Sequence, residues 1–181
     1  MINRPIALPL ILASLVASCA PASETDAEGD AILADGPETV STELSGDDVP
    51  TGIRTVAEET IPGMTIAEVE MKERDGMTFF DVEGARPDGS EVELDMLQED
   101  DGSFRVVEIQ RDIDWADVPD PARAATDGVD GMFTPDRVIE SVQNDGTVIY
   151  ELFAPGKTDE PSAEISVKDG EAEMLTERWK Y

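Results

Sequence analysis

Carboxylates are the only reactive side chains this chain carries in quantity. Its 181 residues include 42 Asp and Glu against 13 Lys and Arg, for a formal net charge of -29 at pH 7. Paired carboxylates can act as general acid and base, or hold hard cations such as calcium. Histidine is absent, which removes Ser-His-Asp, Cys-His and His-carboxylate sites together with the commonest nitrogen ligand for transition metals. The single cysteine, Cys19, rules out an internal disulfide or a thiolate cluster within the chain. These exclusions lead us to expect no enzyme, no catalytic residue, no cofactor and no metal ligand set. The charge also repels phosphate backbones, so nucleic acid is not an expected partner. The acidity reads first as a solvated surface, and second as a means of recognising a basic partner or cations.

Particular spacings add little to that picture. Glu99-Asp100-Asp101 and Asp127-Gly-Val-Asp130-Gly131 have a superficial likeness to calcium loops. Neither places ligands at the first, third and fifth positions with a Glu at the twelfth, and both read as exposed turns. The aromatic residues are more informative. Trp115 and Trp179 fall near the ends of two stretches of similar pattern, and Phe79 and Phe80 are adjacent. Alternation along a strand sends one of those phenylalanines away from the face occupied by the other. Trp115, Trp179 and Phe79 are therefore candidates for a binding surface, with burial in a core as the competing reading.

The amino-terminal residues specify location. Residues 1–18 carry Arg4, then an apolar run from Ile6 to Val16, then small residues, the composition of a signal peptide. The run is too short to span a bilayer. Val16-Ala17-Ser18-Cys19 resembles the bacterial lipobox. That resemblance implies diacylglyceryl transfer to the Cys19 sulfur, cleavage after Ser18 and acylation of the new amino terminus by a fatty acid such as palmitate. With Ala20 after the cysteine, it also implies a lipid-anchored protein of the cell envelope, at the outer membrane and facing the periplasm. The membrane would thus be one partner, held through two or more acyl chains.

Residues 19–48 hold nine acidic residues, no basic ones and no aromatics, and read as an extended, disordered tether with at most a marginal element near Ala31 to Ala34. Beyond it the periodicity changes. Ile53, Val56, Ala57 and Ile61 have the spacing of one helical face between Pro50 and Pro62-Gly63. Alternation then predicts four antiparallel strands, with turns at Asp75-Gly76, Pro87-Asp88-Gly89 and Asp101-Gly102. A weaker copy of the same pattern follows Val118-Pro119, with Asp145-Gly146 and Asp169-Gly170 as turns. The expected fold class is α+β, in two tandem units of one helix plus a four-stranded antiparallel sheet, at residues 49–117 and 118–181. A single irregular α+β domain is the alternative.

The series Val49-Pro50, Pro62-Gly63, Val69-Glu70, Asp75-Gly76, Phe80-Asp81-Val82, Gly89, Val92-Glu-Leu, Asp101-Gly102 and Val107-Glu108 resembles a PepSY-like domain, a helix-plus-four-strand unit also found in tandem in β-lactamase-inhibitor-like folds. The resemblance covers Val49 to Trp115 well and the remainder loosely, because Gly128-Val-Asp-Gly131 replaces the Pro-Gly that should follow the second helix. It implies a non-catalytic module that binds an envelope protein or peptide, with a peptidase-inhibitor-like role in some relatives, and it transfers no catalytic residue. The contrasting reading is a carboxylate-based cation-binding protein or hydrolase of the envelope.

Overall fold

A computed structural model describes residues 32–33 and 39–180. The signal segment, Cys19 and most of the expected tether lie outside the described residues. The chain forms β1 (Val40–Leu44), α1 (Thr51–Thr60), β2 (Thr65–Arg74), β3 (Met77–Ala85), β4 (Glu91–Gln98), β5 (Phe104–Ile113), α2 (Asp120–Ala124), β6 (Arg137–Gln143), β7 (Val148–Phe153), β8 (Ala163–Lys168) and β9 (Glu171–Met174). All nine strands join in one antiparallel sheet, each pairing with its neighbours in chain order.

The turns follow directly from the sequence. At Asp75-Gly76 both residues have positive φ, 52° and 77°, and at Asp169-Gly170 the values are 52° and 84°. Two successive left-handed residues make the hairpin turn whose twist matches the strands it joins, and Asp-Gly tolerates it at low cost. These turns close β2 onto β3 and β8 onto β9.

The expectation of two helix-plus-four-strand units is overturned. Strand β5 pairs directly with β6, from Glu108↔Gln143 to Ile113↔Val138, so the strands make one continuous sheet in a β-rich fold. The physical reason is that an unpaired ten-residue edge would leave a row of backbone N–H and C=O groups without partners. Among the described residues helix is correspondingly scarce: α1 has 10 residues and α2 only 5. Pro121 opens α2, and a loop containing Gly128 at φ 77° follows it. Strand β1 lies within the stretch expected to be tether. Its residues are almost all exposed, so no buried alternation marks it in the sequence, and backbone pairing from Val40↔Glu73 to Leu44↔Val69 holds it against β2.

Side chains opposite one another in a sheet share a face. Val82, Leu94, Ile109, Val142, Val148 and Val167 form one continuous cross-strand row. On that face Ile53 and Ala57 of α1 cover Val69, Phe80, Val82, Leu94 and Met96. Val118 and Ala122 of the α2 region cover Val138, Tyr150, Leu152, Ala163 and Ile165. Both helices therefore lie on the same side, and among the described residues no helix covers the other. Trp115 packs into the second of these cores. Near the amino-terminal end, Ile32 and Leu33 donate backbone hydrogen bonds to the Ser162 carbonyl at 2.8 and 3.3 Å, and Leu33 is 3% exposed. No described helix is long and apolar enough to cross a membrane.

Candidate functional site

The uncovered face carries the charge. The alternation that buries Val82, Leu94 and Ile109 sends Asp81, Asp95 and Glu108 the other way, and the register lines them up as Glu70↔Asp81↔Asp95↔Glu108↔Gln143. A parallel row runs Glu68↔Glu83↔Glu93↔Gln110↔Ser141. Further along, Glu151 faces Glu164 between β7 and β8. Like charges placed directly opposite across strands destabilise a sheet, and here they recur from strand to strand.

These residues line a cleft of about 490 Å³ that extends from Thr39 and Ser41 beside β1 to Trp179 and Lys180 beyond β9. The sheet curls toward this face, since both of its ends contribute to one cleft. Twelve carboxylates and five basic side chains line it. A second hollow of about 390 Å³ shares Glu83, Glu93, Gln110, Arg137 and Ile139 with the first, so the groove continues across β3 to β6.

Few donors serve the floor. Lys72 forms ion pairs with Asp81 and, at 3.4 Å, with Glu70. Gln110 Nε2 donates to Asp95 Oδ2 at 3.1 Å and to Glu108 Oε2 at 3.0 Å, and Ser141 Oγ donates to Glu108 Oε2 at 2.7 Å. Asp95 Oδ1 is buried without a hydrogen-bond partner, and so are Trp179 Nε1 and Arg178 Nε on the opposite wall. Among the described residues, the group able to converge on a metal ion is Asp81, Glu93 and Asp95, one carboxylate oxygen from each lying within 4.8 Å of the others.

The electrostatic consequence is a set of carboxyls held above their ordinary range. Burial, then the Asp81 carboxylate, pushes Glu93 up to about 7 against the opposing pull of Lys72. Burial comes first for Asp95 as well, joined by Asp81, Glu93, Glu108 and Glu151, and it rises well above the usual carboxylate value. Glu151 is pushed up to about 8 by burial and by Glu108, Glu164 and Glu93. Burial raises Glu164 too, although the Trp179 backbone N–H and Arg178 oppose it. Burial alone would lower the Lys72 ammonium, but Asp81 and Glu70 hold it above its ordinary value. A protein without histidine thus has groups that titrate near neutrality.

Comparison with protein-family models, with curated proteins and with solved structures finds no match. The chemistry of this face therefore rests on its own geometry.

Of the three aromatic candidates, two come together here. Phe79 faces the cleft from β3, while its neighbour Phe80 lies in the helix-covered core. The Arg74 guanidinium sits 5.1 Å above the Phe79 ring, and Arg137 sits 5.2 Å above Phe153 in the same cleft. Trp179 is half-buried on the cleft wall, whereas Trp115 is on the opposite side of the sheet. The acidic runs near the calcium-loop likenesses are turns: Asp101 Oδ1 accepts from Ser103 N at 3.0 Å and from Ser103 Oγ at 2.6 Å. Sequence reasoning did not single out Asp81, Glu93, Asp95, Glu108 or Glu151. The signal was present in the alternate acidic positions Glu68 and Glu70, and Glu91, Glu93 and Asp95. It was read as solvated surface because nothing in one strand says that seven strands share a face.

Proposed function

We propose that this protein is a non-catalytic, lipid-anchored component of the cell envelope whose acidic sheet face takes up a basic segment of an envelope protein or peptide. The observation that carries this reading is the run of carboxylate rows on a curled face that neither helix covers. Three features favour a polypeptide with Lys and Arg side chains over a small ion. The floor already holds one ammonium, that of Lys72, between Asp81 and Glu70. The wall offers two buried donors, Trp179 Nε1 and Arg178 Nε, which a metal ion cannot satisfy and a backbone carbonyl can. The aromatic rings of Phe79 and Phe153 already carry guanidinium groups, the arrangement that a ligand arginine would also adopt.

The anchor follows from the lipobox resemblance around Cys19. Two or more acyl chains, at about 0.8 kcal/mol per buried methylene, hold a water-soluble body at a bilayer, with the outer membrane facing the periplasm as the proposed location. Cell fractionation of Cys19→Ala should move the protein from membrane to soluble fractions, and unchanged membrane association sinks the anchor.

Binding is tested by titrating a lysine- and arginine-rich peptide into the protein. Saturable binding that weakens at least tenfold in the variant Asp81→Asn/Glu93→Gln/Asp95→Asn is expected. Competition of the peptide by micromolar calcium would instead assign the floor to a hard cation. Equal binding by the wild type and the variant would remove the floor from the account.

A further inference from the structure

Resting on the basic-segment reading, we infer that the cleft is a proton-exchanging receptor: without ligand its floor is neutralised by protons shared among the carboxyls around Asp95, and a basic segment binds by displacing them. The geometry favours a proton on the floor. Asp81, Asp95 and Glu108 stand directly opposite one another on three adjacent strands. A carboxylate oxygen from each of Asp81, Glu93 and Asp95 lies within 4.8 Å of the others. Glu93 and Asp95 stand two residues apart on β4, and ionised carboxylates only accept hydrogen bonds, so a proton kept on one of the three relieves their mutual repulsion.

The neighbouring elements do not supply enough cations to remove that need. From β2, the single ammonium of Lys72 is drawn to Asp81 and Glu70. From β5, Gln110 brings a neutral amide and Glu108 brings another acid. From β7, Glu151 adds a further carboxyl, and Arg137 of β6 is engaged with Asp112 at 2.6 Å and 3.1 Å. Asp95 Oδ1 is left buried without a donor, a position that suits a carboxyl far better than a carboxylate. The raised values of Glu93 and Glu151 agree with this arrangement.

When a ligand ammonium or guanidinium enters, it takes over the neutralising role. The shared proton leaves a carboxyl oxygen for solvent, and the carboxylate formed accepts the ligand's N–H. Binding should therefore release protons and tighten with pH while the ligand stays charged. Release of one proton from a group titrating near 7 strengthens binding about tenfold between pH 6 and pH 8.

The test is calorimetric titration of a lysine- and arginine-rich peptide at fixed ionic strength, in phosphate and in Tris at pH 7, and again at pH 6 and pH 8. Heats that differ between the two buffers in proportion to their ionisation enthalpies, with about tenfold tighter binding at pH 8, are expected. In Asp95→Asn, whose amide mimics the protonated acid, the number of protons released should fall. Binding with buffer-independent heats and equal affinity at pH 6 and pH 8 overturns this inference and leaves the basic-segment reading intact. Absence of binding in every condition overturns that reading instead. The floor itself is then decided by carbon NMR titration of the free protein, where midpoints for Glu93 and Asp95 both below about 5 would exclude shared protons.

Discussion

Asp81 on β3 and Asp95 on β4 are direct cross-strand partners on the uncovered face of the sheet. In a protein selected for stability alone, such a pair would be replaced, because it places like charges at close range where water is partly excluded. Its presence beside Glu93, Glu108 and Glu151 makes the floor a region where stability has been given up for charge. Asp95→Asn should accordingly stabilise the fold by about 1–2 kcal/mol at pH 8, with a smaller effect at pH 5, because burial and the neighbouring carboxylates favour the protonated form of the native acid as pH falls. Urea unfolding at the two pH values measures this, and a destabilised variant at pH 8 would show that the charge is structurally required.

The pH profile of the wild type follows from the same groups. Glu93, Asp95 and Glu151 have folded values above their ordinary ones, so the folded chain holds protons that the unfolded chain has lost. The contribution of Glu93 and Glu151 is complete below about pH 4.5 and is lost as pH rises through about 7 and 8, and that of Asp95 is lost in the same direction. The melting temperature should fall steadily from pH 5 to pH 8.5. Exposed Asp88, Asp101 and Asp145, all held below the usual carboxylate value by Ser90, Ser103 and Lys168 or Thr147, act in the opposite direction only in more acidic solution. A thermal profile that is flat or rises toward alkaline pH contradicts the description of the floor.

Screening gives a separate prediction. A net charge of -29 and rows of opposed carboxylates repel one another through solvent, and salt shortens the range of that repulsion to about 8–10 Å at 0.10–0.15 M. Raising sodium chloride from about 0.01 M to about 0.5 M at pH 8 should increase Tm by several degrees. Calorimetry in a chloride series checks it, and no response would mean that paired cations already neutralise the face.

A Cβ on Gly84 of β3 would lie 2.3 Å from the Thr65 carbonyl oxygen and 2.9 Å from Met64 Cε. The obstacle is backbone, so Gly84→Ala must shift β2 against β3 beside the irregularity between Ile66 and Glu68. A loss of about 1–3 kcal/mol in urea unfolding is expected. Leu33, buried against the Ser162 region, should cost about 2 kcal/mol when replaced by Ala. A negligible effect would show that this contact does not hold the amino-terminal segment to the sheet.

Much of the strand pattern was legible in the sequence, and the reasons are local. Asp75-Gly76 and Asp169-Gly170 take the backbone angles that only a few residue types accept, and Val92, Leu94 and Met96 alternate with acids as a half-covered strand must. The joining of β5 to β6 was not legible, because strand pairing between distant segments leaves no mark in either one. Strand β1 was missed because it is held by backbone pairing with scarcely any buried side chain. The site failed to appear for the same reason as the sheet: Glu93 and Asp95 look like ordinary solvent-facing positions until the register sets Asp81 and Glu108 beside them.

The acidic, helix-free face is proposed as a receptor for basic polypeptide. Amide chemical shifts mapped during titration of a lysine- and arginine-rich peptide test it most directly. The account predicts saturable shifts concentrated on β3, β4, β5 and β7 and at the Trp179 indole N–H, with α1 and α2 unmoved. Shifts centred on the helix-covered side, or a spectrum unchanged at millimolar peptide, would contradict it.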